Sequence, residues 1–451
     1  MRIHIIAIGG SVMHSLAIQL KLQGHEITGS DDIIYDPARS HLRKHGLLPE
    51  NEGWFSEKVD AEVDLVVVGK HAHEDNPELK KANDLGLKVQ SFPEFVYERS
   101  LDKKRIVVAG SHGKTTTTGM LMEVLKNENR EFDYLVGAPL EGFERSFKLT
   151  ASAPYILIEG DEYPTASFDP RPKFVHYRPH YTIITGIAWD HMNAFPSLDI
   201  YHSLFDDYLK NLMSGTHVIY NEKDEVLSKL VHRYDHYVAH PYNSLDYEVK
   251  QGKYFLKGNK KEWPLQVIGK HNIENMAAVI ELSKLLDIKG DTAFQALTHF
   301  SGAARRLETV FEKGGKTGIV DFAHAPSKVK ASIRAVKEAY PNRRLIAVIE
   351  LHTYSSLNKD FLKNYRDTLD HADEVFVFYS PETLRIKRLP ELSNEIISQE
   401  MGRSDMKIHT DAAQLFKALQ ALDYTNSSLL MMSSGAFGKS DVRKIINELL
   451  E

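Results

Sequence analysis

The chain has 451 residues, too many for one ordinary hydrophobic core, so two or three domains are expected. Apolar residues make up 42% and charged residues 26%, as in water-soluble globular proteins. A net charge of −6 gives no reason to expect nucleic acid or an anionic membrane as partner, and the absence of cysteine excludes disulfides and thiol chemistry.

The opening "MRIHIIAIGG" is too short an apolar run for a signal peptide and reads as a strand buried on both faces. No run approaches ~20 apolar residues, so no bilayer span is expected and the cytoplasm is the expected compartment. "SLAIQLKLQG" has helical spacing and a terminal glycine, and "HEITGSD" and "VDLVVVGKHA" are again strand-like. With the helix "NPELKKANDLG" they form a β-α-β rhythm, which predicts a parallel, doubly wound sheet. A second unit begins near Lys103 with the strand "RIVVAG" and the helix "TTTTGMLMEVLKNEN". It continues through "YILIEGDE" and "YTIITGIAWDH", a polar, hairpin-rich insertion at 240–265, and the helix "GKHNIENMAAVIELSKLLD". A third unit from about "RRLETVFE" contains "TGIVDFAHAP", the helix "SKVKASIRAVKEAY", then "LIAVIELH", "EVFVFYS" and "SLLMMSSGAFG". The strands end at polar, glycine-bearing corners, where open α/β sheets bind ligands.

The stretch "VVAGSHGKTTTTGM" at 107–120 carries the strongest chemical signal. Gly110, Ser111, His112 and Gly113 lie between an apolar strand and a helix start, where backbone N–H groups and the helix dipole converge on an anion. Lys114 supplies a point charge for the β and γ phosphates, and Thr115, followed by Thr116, a hydroxyl for Mg²⁺. The common G-x-x-x-x-G-K-[ST] pattern is incomplete, because Val108 stands where its first glycine would be. A glycine-rich turn with a surface lysine would leave unexplained why strand, loop, Lys-Thr and helix coincide.

The shortened "G-[ST]-x-G-K-T" loop resembles that of the Mur ligase superfamily, and further motifs follow in that family's order along essentially the whole chain. "IEGDEYPTASFDPRPKFVHYRP" looks like the segment with the metal-binding glutamate, here Glu159, and "GIAWDHMNAF" like the one supplying a second metal ligand, here His191. "GKHNIENMAA" is similar to the segment near the adenine, giving His271, Asn272 and Asn275. "GAARRLE" and "DFAHAP" match the arginine and aspartate motifs that close over ATP, giving Arg306, Asp321 and His324. The resemblance implies a UDP-sugar site at Gly9, Gly10, Ser11, Asp31 and His71, and metal ligation by Thr115, Glu159 and His191. It implies three domains: a Rossmann-like UDP-sugar domain (1–102), a P-loop ATP-binding domain with a mostly parallel sheet (103–303) and a Rossmann-like ligase domain (304–451). By its residues alone, His191 is as readily a core histidine as a ligand, and Asp161, Glu162 and Asp190 are either supports for the metal ligands or solvated charges.

The implied reaction is ATP- and Mg²⁺-dependent amide formation on the lactyl carboxylate of UDP-N-acetylmuramate, with Lys114, Glu159 and His191 catalytic. Within the superfamily, "FDPRPKFVHYRP" at 168–179 is typical of ligases that add the murein tripeptide L-alanyl-γ-D-glutamyl-meso-diaminopimelate. A free L-alanine acceptor is the nearest alternative. Folylpolyglutamate synthesis and a non-catalytic UDP-sugar sensor are more distant ones. Several positions depart from family patterns. His14 or Ser15 replaces a glycine of close relatives, Ala325 a frequent histidine, and Phe205 the lysine that many members carry as a carbamate. The "DNPR" motif of the diaminopimelate-adding ligase is absent, with "LHTYSSLN" in the comparable region. Neither the oligomeric state nor the group that accepts the amine proton is legible.

Overall fold

Strands whose side chains are apolar on both faces can only be stable with cover on both sides, and that requirement organises each sheet of this chain. The structure is a computed structural model that describes all residues except 138–139, 141, 144, 190–194 and 259. By its internal contacts it divides into two compact units: Met1–Ile187 with His202–Tyr242, and Ala188–Tyr201 with Asn243–Glu451.

The first unit holds two sheets. Strands β1 (Arg2–Ile6), β2 (Glu26–Ser30), β3 (Leu65–Val68) and β4 (Val89–Ser91) form a parallel sheet in the order β2-β1-β3-β4. Ile5, Ile6, Val66, Val67 and Val68 are all fully buried in it. The predicted helices appear as Met13–Leu22 and Pro77–Asp84. The second begins where the Asn76 side chain accepts from the Glu78 and Leu79 N–H groups, with Pro77 pre-set at the first turn.

The larger sheet comprises β5 (Lys104–Ala109), β6 (Phe132–Leu135), β7 (Phe147–Lys148) and β8 (Tyr155–Glu159). After the small hairpin β9 (Pro164–Ala166) and β10 (Asp169–Pro172), it adds β11 (Tyr181–Ile184), β12 (His217–Asn221) and β13 (Val238–Tyr242). Its order is β13-β12-β11-β5-β8-β6-β7, parallel except for β7. Strand β5 is therefore central, flanked by β8 and β11.

The second unit contains the insertion expected at 240–265. Its strands β14 (Tyr247–Lys250), β15 (Lys253–Gly258) and β16 (Lys261–Pro264) form an antiparallel sheet. Strands β17 (Glu308–Lys313), β18 (Lys316–Asp321), β19 (Arg344–Leu351), β20 (Glu374–Tyr379), β21 (Lys407–His409) and β22 (Ser427–Met432) make a sheet ordered β17-β18-β22-β19-β20-β21. Only β17 runs antiparallel. Among the described residues, no helix is long and apolar enough to cross a membrane. The architecture is the predicted α/β one of mostly parallel sheets.

Candidate active site

The site grows from the carboxyl end of β5. Gly110 leaves that strand with φ +120°, and Gly113 at φ +76° turns the chain into the helix Lys114–Asn127. A Cβ at Gly110 would lie 2.3 Å from Thr185 Oγ1, 2.9 Å from Thr185 N and 2.9 Å from Gly186 O. The close approach exists because the end of β11 folds over the loop. Ser111 N–H donates to Gly186 O at 2.9 Å, and Thr185 N–H to Ala109 O at 3.1 Å. The loop backbone is thus held in place by its own contacts with the end of β11.

Register does the rest. Val108 in β5 pairs with Glu159 in β8, so the glutamate leaves its strand beside the start of the loop. Thr115 donates its hydroxyl to Glu159 Oε1 at 2.8 Å, and Gly137 N–H donates to Oε2 at 2.7 Å. A threonine hydroxyl and a carboxylate are hard oxygen donors, the kind that Mg²⁺ takes alongside phosphate oxygens and water. Lys114 Nζ donates to Gly110 O at 2.6 Å and to Glu162 Oε2 at 2.7 Å. Burial opposes the charge on Lys114, but Glu162, seconded by Asp161 and Glu159, outweighs it and holds the ammonium above the ordinary lysine range. Asp161 is similarly opposed by burial yet held below the usual carboxylate range by Lys173, 2.6 Å from its Oδ2, and by Lys114.

Sequence reasoning left Asp161 and Glu162 undecided between support and solvated charge. Glu162 has a 1% exposed side chain and is the counter-charge of the loop lysine. Its signal was there in "EGDE", the acidic run that follows a buried strand. Glu162→Gln is expected to cost about 3 kcal/mol of unfolding free energy, because it strands the Lys114 ammonium without its partner. Urea unfolding of Glu162→Gln, Lys114→Met and the double variant should show that the two changes are not additive; independent effects would reject the pairing.

The basic segment at 168–179 is largely neutralised locally. Arg171 donates to both Asp169 oxygens at 2.9 and 2.7 Å, His176 Nε2 lies 3.1 Å from Asp169 Oδ2, and Lys173 holds Asp161. Phe205, where many related ligases carry a carbamylated lysine, is fully buried with its ring 5.5 Å from that of Phe174. His191 and Asp190 lie outside the described residues.

Of the nucleotide-sugar candidates, Gly9 and Ser11 line a cavity of about 610 Å³ in the first unit. Gly10 supports that wall, its carbonyl facing His14 Nδ1 at 2.9 Å. Asp31 accepts the Gly9 N–H at 2.7 Å, and burial pushes its carboxyl up to about 6. It holds the glycine turn and is not among the residues lining the cavity. His71 is exposed on the loop after β3 and does not line it either.

The remaining candidates belong to the second unit. The helix Lys270–Leu285 carries His271, which burial pushes down to about 4, with buried Asn272 and Asn275. Asn272 donates back to Ile268 O at 2.8 Å, so it is committed to the helix start. Asp321 ends β18, accepting from Leu307 N–H at 3.2 Å and from the Ser332 hydroxyl. His324 Nδ1 faces Phe322 O at 2.8 Å. Of the two adjacent arginines, Arg305 is engaged with the carbonyls of Ser433 and Gly435 at 2.8 and 2.7 Å. Arg306 has its guanidinium 5.1 Å from the centre of the Phe322 ring.

Three family models match the chain in sequence. They are "Mur ligase family, catalytic domain" at 2–103, "Mur ligase middle domain" at 108–283 and "Mur ligase, glutamate ligase domain" at 305–435. The chain is 30% identical to UDP-N-acetylmuramate–L-alanyl-γ-D-glutamyl-meso-2,6-diaminoheptandioate ligase of Escherichia coli, over 97% of this chain and 96% of the relative. It is 29% identical to UDP-N-acetylmuramate–L-alanine ligase of Ligilactobacillus salivarius, over 96% and 94%. Its fold superposes on the crystal structure of a murein peptide ligase from Psychrobacter arcticus with a TM-score of 0.66 at 25% identity, covering 100% of this chain and 98% of that one.

Proposed function

Because the chain belongs to the Mur ligase family, whose members are ATP-dependent, ADP-forming amide ligases, we propose that it joins UDP-N-acetylmuramate to L-alanyl-γ-D-glutamyl-meso-diaminopimelate. The observation that carries the reading is the Lys114–Glu162 and Thr115–Glu159 constellation at one glycine turn.

The lactyl carboxylate and the γ-phosphate are both anionic, so attack of one on the other needs positive charge placed between them. Lys114, held protonated by its acidic neighbours, provides that charge at the loop. The N–H groups of the turn and of the first helical residues orient the phosphate chain. Thr115 and Glu159 would hold Mg²⁺, which when bound offsets charge on the phosphate oxygens. Attack breaks the bond from the γ-phosphorus to the bridging oxygen and releases ADP; the acyl phosphate is then open to the peptide's alanyl amine, with phosphate as the leaving group and the amine proton passing to solvent. His271, Asn272, Asn275, Arg306, Asp321 and His324 are assigned to ATP by the family motifs they match, and His191 to the metal.

The tripeptide acceptor is supported by the "FDPRPKFVHYRP" segment and by the names of the first relatives in sequence and fold. A free L-alanine acceptor is the second reading, favoured by ligases of that name at comparable identity. Phosphate release with UDP-N-acetylmuramate and either acceptor decides between them. The tripeptide is expected to give a kcat/KM about a hundredfold or more above that of L-alanine, the discrimination that a few kcal/mol of peptide contacts supplies. Preference for L-alanine would reject the proposal.

A further inference from the structure

The 610 Å³ cavity in the first unit has a lopsided charge. Of its titratable lining, His14, His41, Lys44, His45 and Arg145 are cationic or able to become so, and only Asp36 is acidic. A wall of that kind suits a polyanion. Two of its histidines are connected in series, and the direction of the series follows from simple hydrogen-bond logic.

His14 Nδ1 lies 2.9 Å from Gly10 O, and a carbonyl can only accept, so that nitrogen carries the proton. His14 is buried, and burial, with His41 adding to it against the Gly10 contact, holds the imidazole below the ordinary histidine range. In its neutral form, with the proton on Nδ1, His14 presents an accepting Nε2, which the Ser15 hydroxyl also approaches at 3.5 Å. His41 Nδ1 approaches that nitrogen at 3.3 Å, which makes His41 the donor. The nitrogen of His41 left to gain a proton is Nε2. Its charged surroundings are Lys44 and His45 following it in the chain, Asp36 just before its helix, and Arg145 from the loop leading into β7. A diphosphate entering the cavity adds negative charge beside that nitrogen and favours its protonated form.

We infer that the His14–His41 pair is a proton-coupled anion clamp, in which His41 takes a proton from solvent at Nε2 as the diphosphate of a nucleotide sugar enters this cavity. No bond to phosphorus forms or breaks; neutral imidazole becomes imidazolium and donates to a phosphate oxygen. The inference rests on the nucleotide-sugar reading above and adds how that site responds to pH. Because the proton is bound in the complex, affinity is higher at low pH than at high pH.

Calorimetric titration of the full chain with UDP-N-acetylmuramate, in two buffers of different ionisation enthalpy, measures the proton count directly. Uptake of about half to one proton is expected near neutral pH, with Kd rising about tenfold between pH 6 and pH 8. His41→Gln should lose both the uptake and the slope, and His41→Lys should keep the affinity without the slope. Uridine as probe should bind with no uptake. Tight binding of the UDP-sugar without uptake, or uptake surviving His41→Gln, would overturn the clamp alone. Failure of the UDP-sugar to bind at any pH would overturn the nucleotide-sugar reading with it.

Discussion

Lys114→Met is expected to lower the rate of ADP formation by about 10³-fold or more, the size of effect seen when one donor aimed at developing charge is removed. Here the loss is larger than that of a single hydrogen bond, because Lys114 is the cation that the structure places on the loop itself. The change also leaves Glu162 buried without its partner, so the single variant confounds charge with stability. Lys114→Met combined with Glu162→Gln removes both members and should recover much of the folding free energy while remaining inactive. UDP-sugar binding supplies an independent check of folding, since Lys114 does not line the 610 Å³ cavity. A doubly substituted enzyme that turns over within tenfold of the wild type would remove Lys114 from the chemistry.

Gly110→Ala should be nearly as damaging through a different cause. The added methyl meets Thr185 Oγ1 and, at 2.9 Å each, the backbone atoms Thr185 N and Gly186 O, while φ of +120° is a region L side chains rarely adopt. Strain and overpacking of this kind cost ~3 kcal/mol or more together. The loop can escape only by moving away from β11, which breaks the Ser111–Gly186 contact and disperses the N–H groups proposed to hold phosphate. Loss of ATP binding by at least tenfold, with a lower thermal midpoint, is the expected result in equilibrium binding and melting experiments. Thr185→Ala should not rescue it, because two of the three obstructing atoms are backbone. Full rescue would show that the close approach is a side-chain matter and that the turn is not held as described.

Much of this molecule was legible from local pattern. Buried strands such as β1, β3 and β5 announce themselves as apolar runs ended by glycine or acid, and helices by spacing and caps, because those signals act within a few residues. The strand–glycine turn–helix at 107–120 was legible for the same reason, since its glycines, lysine and threonine are contiguous. The three-stranded insertion was foreseen only as a polar, hairpin-rich segment, its register set by pairing partners that composition does not name. Among the sugar-site candidates, Asp31 accepts the Gly9 N–H, a contact 22 residues away that no local pattern announces, and neither it nor His71 lines the 610 Å³ cavity.

The position of the glycine-lysine turn between a strand and a helix, the order of the motifs and the α/β class therefore follow from sequence alone, because each depends on neighbours in the chain. Which carboxylate neutralises Lys114, which N–H orients Glu159 and which histidine meets His14 were decided by tertiary structure. Those partners lie 48, 22 and 27 residues away along the chain. The sheet order β5-β8-β6 brings the first two pairs together, β5 beside β8 for the lysine and β6 beside β8 for the glutamate. Such contacts need the whole sheet assembled, since the entropy of closing those loops is recovered only when many strands pair at once.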